Sequence, residues 1–120
     1  MGKKTLVLGA SSKSYRYSFL AINRLVATGH EVVALGLRTG KVGNIEISQA
    51  PGDWAPIDTV TLYLNPDNQQ RYYDYLLELK PQRVIFNPGA ENDELKDLLN
   101  EAGVKTQYAC TLVLLSTGQY

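Results

Sequence analysis

Cysteine and histidine are nearly missing from this chain. Cys110 stands alone, so no intrachain disulfide can form, and with His30 the only histidine a zinc site of the usual ligands cannot be assembled. Excess charge is missing too: twelve lysines and arginines face twelve aspartates and glutamates. That balance excludes a global pull toward nucleic acid or an anionic membrane, although a local basic patch can still hold a small anion. No apolar run approaches the roughly 20 residues of a membrane span. The basic start MGKKTLVLG breaks off too early for a signal-peptide core. Repeats, linkers and low-complexity segments are likewise absent. The expectation is one domain over residues 1–120, cytoplasmic, monomeric or homodimeric, with neither a nucleic-acid nor a membrane partner.

What is present is an alternation of short apolar runs and helical-period stretches. KTLVLG (4–9) reads as a strand buried on both faces. From 17 to 28 the residues Phe19, Leu20, Ile22, Leu25 and Val26 recur at helical spacing, and Gly29 stops the helix. EVVALG (31–36) is the next strand, and the single helix between the two makes a parallel βαβ unit. Residues 38–56 are rich in glycine and proline and read as a long loop with at most one short strand, Ile45–Ile47. TVTLYL (59–64) is the third strand, and a helix over 67–79 presents Tyr72, Tyr75, Leu76 and Leu79 before Pro81 ends it. RVIFN (83–87), a helix over 91–103 burying Leu95, Leu98 and Leu99, and KTQYA (105–109) follow. CTLVLLSTG closes the pattern as a short helix or strand. The fold class is α/β: a three-layer open parallel sheet of about five strands with helices on both faces. In such a fold a ligand lies outside the carboxyl ends of the strands.

The strand-end turns therefore carry the chemistry. GASSKSYRYS follows the first strand where a dinucleotide fingerprint would read Gly-x-Gly-x-x-Gly; Gly9 fills the first place, and Ser11 and Ser14 stand in the others. Two readings are open: Ser11 or Ser12 caps the helix, or the turn and the helix N-terminus hold an anion. After the second strand NAD sites place an acid for the ribose hydroxyl, whereas this chain has Arg38 and Lys41 among glycines. Two cations suit a phosphate on the ribose, as in NADP or coenzyme A, against the alternative of a solvated basic loop. The third and fourth strands end in Asn65-Pro66 and Asn87-Pro88, and Gly89 lets a backbone come near a ligand. Glu91 reads as a helix-dipole residue or a ligand acceptor. No catalytic set is visible: His30 falls at the amino end of a strand, Cys110 has no histidine beside it, and Lys13 lacks the helical spacing that would activate Tyr15 or Tyr17.

With GASSKSYRYS, GHEVVALG, LRTGKVGNI, LYLNP, FNPGAEN and CTLVLL in register, the chain resembles the small single-domain coenzyme A-binding proteins, which are similar to the nucleotide-binding domain of the succinyl-CoA synthetase alpha subunit. The resemblance implies a Rossmann-like fold that holds coenzyme A. Gly9, Ala10, Ser11 and Ser12 would hold the pyrophosphate, and Tyr17 is counted with these cofactor-binding residues. Arg38 and Lys41 would lie near the adenosine and its phosphate, and Asn65, Pro66, Asn87, Pro88 and Gly89 would flank the nucleotide. The first turn lacks the glycines of the synthetase, and the chain stops before the domain bearing that enzyme's phosphorylated histidine, so its activity is not carried over. The expected function is non-catalytic binding of coenzyme A or an acyl-CoA, with no metal. The alternatives are an NADP-dependent reductase or epimerase, and a partner-docking domain with a vestigial cleft, for which Tyr72, Tyr73 and Tyr75 would be anchors.

Overall fold

Thr5–Leu8 forms β1 at the middle of the sheet, and all four of its residues are buried. The computed structural model describes residues 2–120; Met1, where the expected domain begins, lies outside them. The other strands are β2 (Val32–Leu35), β3 (Gly40–Val42), β4 (Ile45–Ser48), β5 (Thr59–Leu62), β6 (Arg83–Phe86) and β7 (Lys105–Tyr108). They lie in one sheet in the order β3-β4-β2-β1-β5-β6-β7. Every neighbouring pair is parallel except β3–β4. Without the antiparallel edge strand β3, the order is the 3-2-1-4-5-6 of doubly wound dinucleotide-binding sheets.

The sheet has seven strands rather than about five because the supposed loop 38–56 contains a hairpin. Val42 pairs with Ile45 across the two-residue Gly43-Asn44 turn, and β4 then aligns parallel to β2 through Ala34 and Ile47. Strands of three and four residues bearing Lys41 and Glu46 outward show too little alternation to stand out in the sequence.

Helices cover both faces. On one, α1 (Tyr17–Ala27) buries Ala21, Ile22 and Leu25 against Val7, Val32 and Ala34, and α5 (Thr111–Ser116) lies beside it. On the other, α3 (Tyr73–Leu79) and α4 (Asp93–Glu101) bury Leu76, Leu95 and Leu99 against Leu6, Leu8, Leu62 and Phe86. Alternation along β1 does the sorting, since Leu6 and Leu8 point to one layer and Val7 to the other. Each fully buried leucine contributes about 1.5–3 kcal/mol relative to exposure. The helical faces are narrower than their periodicity suggests: Leu20, Val26 and Leu98 are exposed. The expected helix over 67–79 is divided into α2 (Pro66–Gln69), a 3₁₀ turn (Gln70–Tyr72) and α3. No described helix is long and apolar enough to cross a membrane.

The chain leaves β1 for β2 on one side and later returns to place β5 on the other. The crevice between diverging connections therefore opens above the carboxyl ends of β1 and β5.

Candidate functional site

The turn after β1 is stitched to the end of β2. The N–H groups of Gly9 and Ala10 both donate to Leu35 O, at 2.8 and 3.1 Å. Gly9 sits at a φ of +94°, a region that disfavours any side chain, and a Cβ at Gly36 would lie 2.4 Å from Ala10 O. The two glycines thus let the first and second strand ends touch. Beyond them Ser11 Oγ accepts the Lys13 N–H at 3.1 Å, and Ser12 rests against Gly40 of β3.

Neither serine caps α1. The helix begins at Tyr17, its N-cap is Arg16, no side chain bonds to its first amides, and its first turn holds no acid. This removes the reading in which Ser11 or Ser12 is only a capping residue. A helix of eleven residues presents a positive end there, facing a turn that carries the exposed Lys13 and Arg16. Tyr15 and Tyr17, each 71% exposed, stand on the same rim.

The hairpin extends the basic side. Thr39, Gly40, Lys41, Ile47, Ser48 and Gln49 line an open cavity of about 520 Å³, with Ser12 against its Gly40 wall. Lys41 lies opposite Glu46 across the β3–β4 pair, and Glu46 lines the cavity too. Arg38 is exposed on the preceding bend, outside that lining. Residues 1–41 hold seven lysines and arginines against the single Glu31, whereas residues 42–120 hold five against eleven acids. Of these seven, Lys3 and Lys4 precede β1 and Arg24 lies in the last turn of α1, at the opposite end of the sheet, whereas Lys13, Arg16, Arg38 and Lys41 follow the carboxyl ends of β1 and β2 and make that side of the crevice positive.

The two Asn-Pro turns differ in what their asparagines do. Asn65 is exposed and caps α2, its Oδ1 accepting the Asn68 N–H at 2.9 Å with Pro66 as the first helical residue. Asn87 is 2% exposed and its amide is committed inward: Nδ2 donates to Thr61 Oγ1 (2.8 Å) and Leu62 O (3.0 Å), and Oδ1 accepts the Thr111 N–H (2.9 Å). Pro88 and Gly89 remain exposed beside it. Glu91 spends a carboxylate oxygen on the Gly89 N–H at 2.8 Å, and the cap of α4 is Asn92, so the helix starts two residues later than its periodicity suggests.

A buried and a partly buried polar residue here escape sequence reasoning. Gln69 has no exposed surface, although positions 69, 72 and 76 share the core-facing side; a glutamine on an apolar face was the available signal. Tyr63, next after β5, packs against the α1 layer; burial pushes its phenol up to about 12, and its hydroxyl finds no partner among the described residues. Cys110 is half-buried at the start of α5, and His30 lies at the opposite end of the sheet, where its Nδ1 accepts the Lys3 N–H at 2.9 Å. The two cannot form a nucleophilic pair.

The geometry is therefore a row of turns at one edge of a parallel sheet, with an uncapped helix end and cations at one side and uncharged proline turns at the other. Solved structures share the fold. The chain is 48% identical to an uncharacterized protein whose crystal structure superposes with a TM-score of 0.97, over 100% of this chain and 99% of that one. A hypothetical protein from Pyrococcus horikoshii OT3 shares the fold at 22% identity and a TM-score of 0.85, covering 97% and 83% of the two chains. A protein from Thermus thermophilus does so at 20% and 0.84, covering 98% and 91%. No curated protein sequence matches. The model of a family described as CoA binding domain matches residues 3–116, nearly the whole chain, and the protein belongs to that CoA-binding domain family.

Proposed function

We propose that this protein binds coenzyme A or an acyl-CoA at its strand-end turns without reacting on it, with the pyrophosphate in the 9–14 turn. The observation that carries the reading is the N-terminus of α1, which has no side-chain cap, no acid in its first turn and two cations on the adjoining loop. Gly9, Ala10, Ser11, Ser12 and Tyr17 adjoin it. Lys41, on the wall of the hairpin cavity, and Arg38, on the bend before it, are the groups proposed to meet the adenosine phosphate. Pro66, Pro88 and Gly89 would flank the remainder of the ligand, and Asn65 and Asn87 would act through the turns they hold. The reading includes a cytoplasmic protein, monomeric or homodimeric, that uses no metal. No observation favours the NADP-dependent alternative.

Thermal unfolding with coenzyme A, dephospho-coenzyme A and NADP tests it, because a ligand of the native state raises stability by RT ln(1 + [L]/Kd). Coenzyme A is expected to raise Tm more than either of the others. Equal stabilisation by dephospho-coenzyme A removes the roles of Arg38 and Lys41. No stabilisation by coenzyme A removes the reading.

A further inference from the structure

One buried side chain holds the two Asn-Pro turns at a set distance. Gln69, the last residue of α2, donates one amide hydrogen to Leu64 O at 2.8 Å and the other to Ala90 O at 2.7 Å. Its Oε1 accepts from Asn92 Nδ2 at 2.9 Å, and the same Nδ2 reaches the Tyr73 hydroxyl at 2.8 Å. Leu64 follows β5 and Ala90 follows β6, so a single amide spans both turns. Both amide hydrogens are used and the side chain has no exposed surface, so the span cannot change without leaving a buried polar group unpaired.

Charge tells which part of a ligand lies above those turns. The cations of the strand-end turns, Lys13, Arg16, Arg38 and Lys41, belong to the β1–β2–β3 side, whereas Leu64, Pro66, Pro88, Gly89 and Ala90 carry none and Glu91 is occupied by Gly89. A polyanion with an uncharged arm is drawn phosphates first to the basic side, which leaves the arm over β5 and β6. We propose that Gln69 is a positioning residue for the uncharged arm of coenzyme A, setting the distance between the turns at 64–66 and 88–90 over which the arm lies. This rests on the coenzyme A reading and deepens it.

Calorimetric titration of the protein and its Gln69→Met variant with coenzyme A and with 3′-phospho-ADP, which lacks the arm, tests the inference. The variant keeps the side-chain volume and loses the hydrogen bonds. It is expected to weaken coenzyme A by about tenfold while leaving 3′-phospho-ADP within about twofold. Equal losses for both ligands mean that Gln69 is merely structural and overturn the inference, as does unchanged affinity for coenzyme A. If Gln69→Met does not fold, Asn92→Asp keeps the α4 cap while removing the donor to Gln69; the same split at a smaller factor is expected, and its absence is equally fatal. Wild-type protein that binds 3′-phospho-ADP as tightly as coenzyme A overturns this inference alone. Wild-type protein that binds neither overturns the coenzyme A reading with it.

Discussion

Asn87 Oδ1 accepts the main-chain N–H of Thr111 at 2.9 Å, joining the turn after β6 to the first residue of α5. Thr111 Oγ1 in turn lies 2.7 Å from Thr61 Oγ1, which receives an Asn87 amide hydrogen, so three elements close on one buried knot. Asn87→Ala would orphan the Thr111 N–H, and such a group costs about 1–3 kcal/mol when buried. A fall in Tm of roughly 10 °C is expected, on the scale of about 4 °C per kcal/mol for a domain of this size. Differential scanning calorimetry reads it; a variant as stable as the wild type would show that the knot is dispensable.

The contact between the first and second strand ends leaves no room for a methyl group. At Gly36 a Cβ would meet Ala10 O at 2.4 Å and the Ile47 side chain at 3.0 Å, and Ala10 belongs to the turn proposed above to hold the pyrophosphate. Gly36→Ala is expected to cost about 1–3 kcal/mol by overpacking. It should also displace that turn and weaken coenzyme A. Urea denaturation and ligand titration of the same preparation check the two effects, and a loss of stability with intact affinity would separate the turn from the ligand.

Stability should depend on pH through His30. Burial first and the Lys3 charge next hold its pKa below the ordinary value of 6.5, and its ring stacks edge-on against Tyr120, whose ring is also approached by Lys3 and Arg83. The unfolded chain takes up this proton near pH 6.5 and the folded chain only at lower pH, so between those values the unfolded state binds more protons. The contribution is fully present above about pH 6.5 and is lost as pH falls toward the lowered folded value. Urea midpoints at pH 7.5 and 5.0, compared between wild type and His30→Gln, measure it. The variant is expected to lose part of the acid sensitivity, and an identical pH profile would assign that sensitivity elsewhere.

In the proposed reading Lys41 meets the ribose phosphate and not the rest of the ligand. Lys41→Ala is expected to reduce affinity for coenzyme A about five- to tenfold and to leave dephospho-coenzyme A unchanged, as for the loss of one charge-assisted contact. Raising ionic strength should weaken wild-type binding more steeply than variant binding. Titrations at two salt concentrations decide it, and parallel losses for both ligands would place Lys41 elsewhere on the nucleotide.

The alternation of short apolar runs and helical stretches was enough to read an α/β sheet, because a strand covered on both faces has no polar positions to spare. KTLVLG, EVVALG, TVTLYL and RVIFN all became strands within one or two residues of their expected bounds. The β3–β4 hairpin did not stand out, since its pairing joins three residues to four and its outward Lys41 and Glu46 resemble loop residues. The family was legible in the resemblance carried by the strand-end motifs, and the family described as CoA binding domain matches residues 3–116.

What each site residue does with its side chain was decided only in three dimensions. Sequence could name Ser11, Asn65 and Asn87 as polar residues at turns. It could not tell that Ser11 binds its own loop, that Asn65 caps a helix, or that Asn87 is buried and reaches residues 24 to 26 positions away. Gln69 is the clearest case, a polar residue on a core-facing helical side whose distant partners, Ala90 and Asn92, meet it only once β5 and β6 lie side by side. Periodicity records which face of an element is apolar, and so it determined the layers. A hydrogen bond needs donor and acceptor within about 3 Å, and between residues distant in sequence only the folded sheet sets that distance.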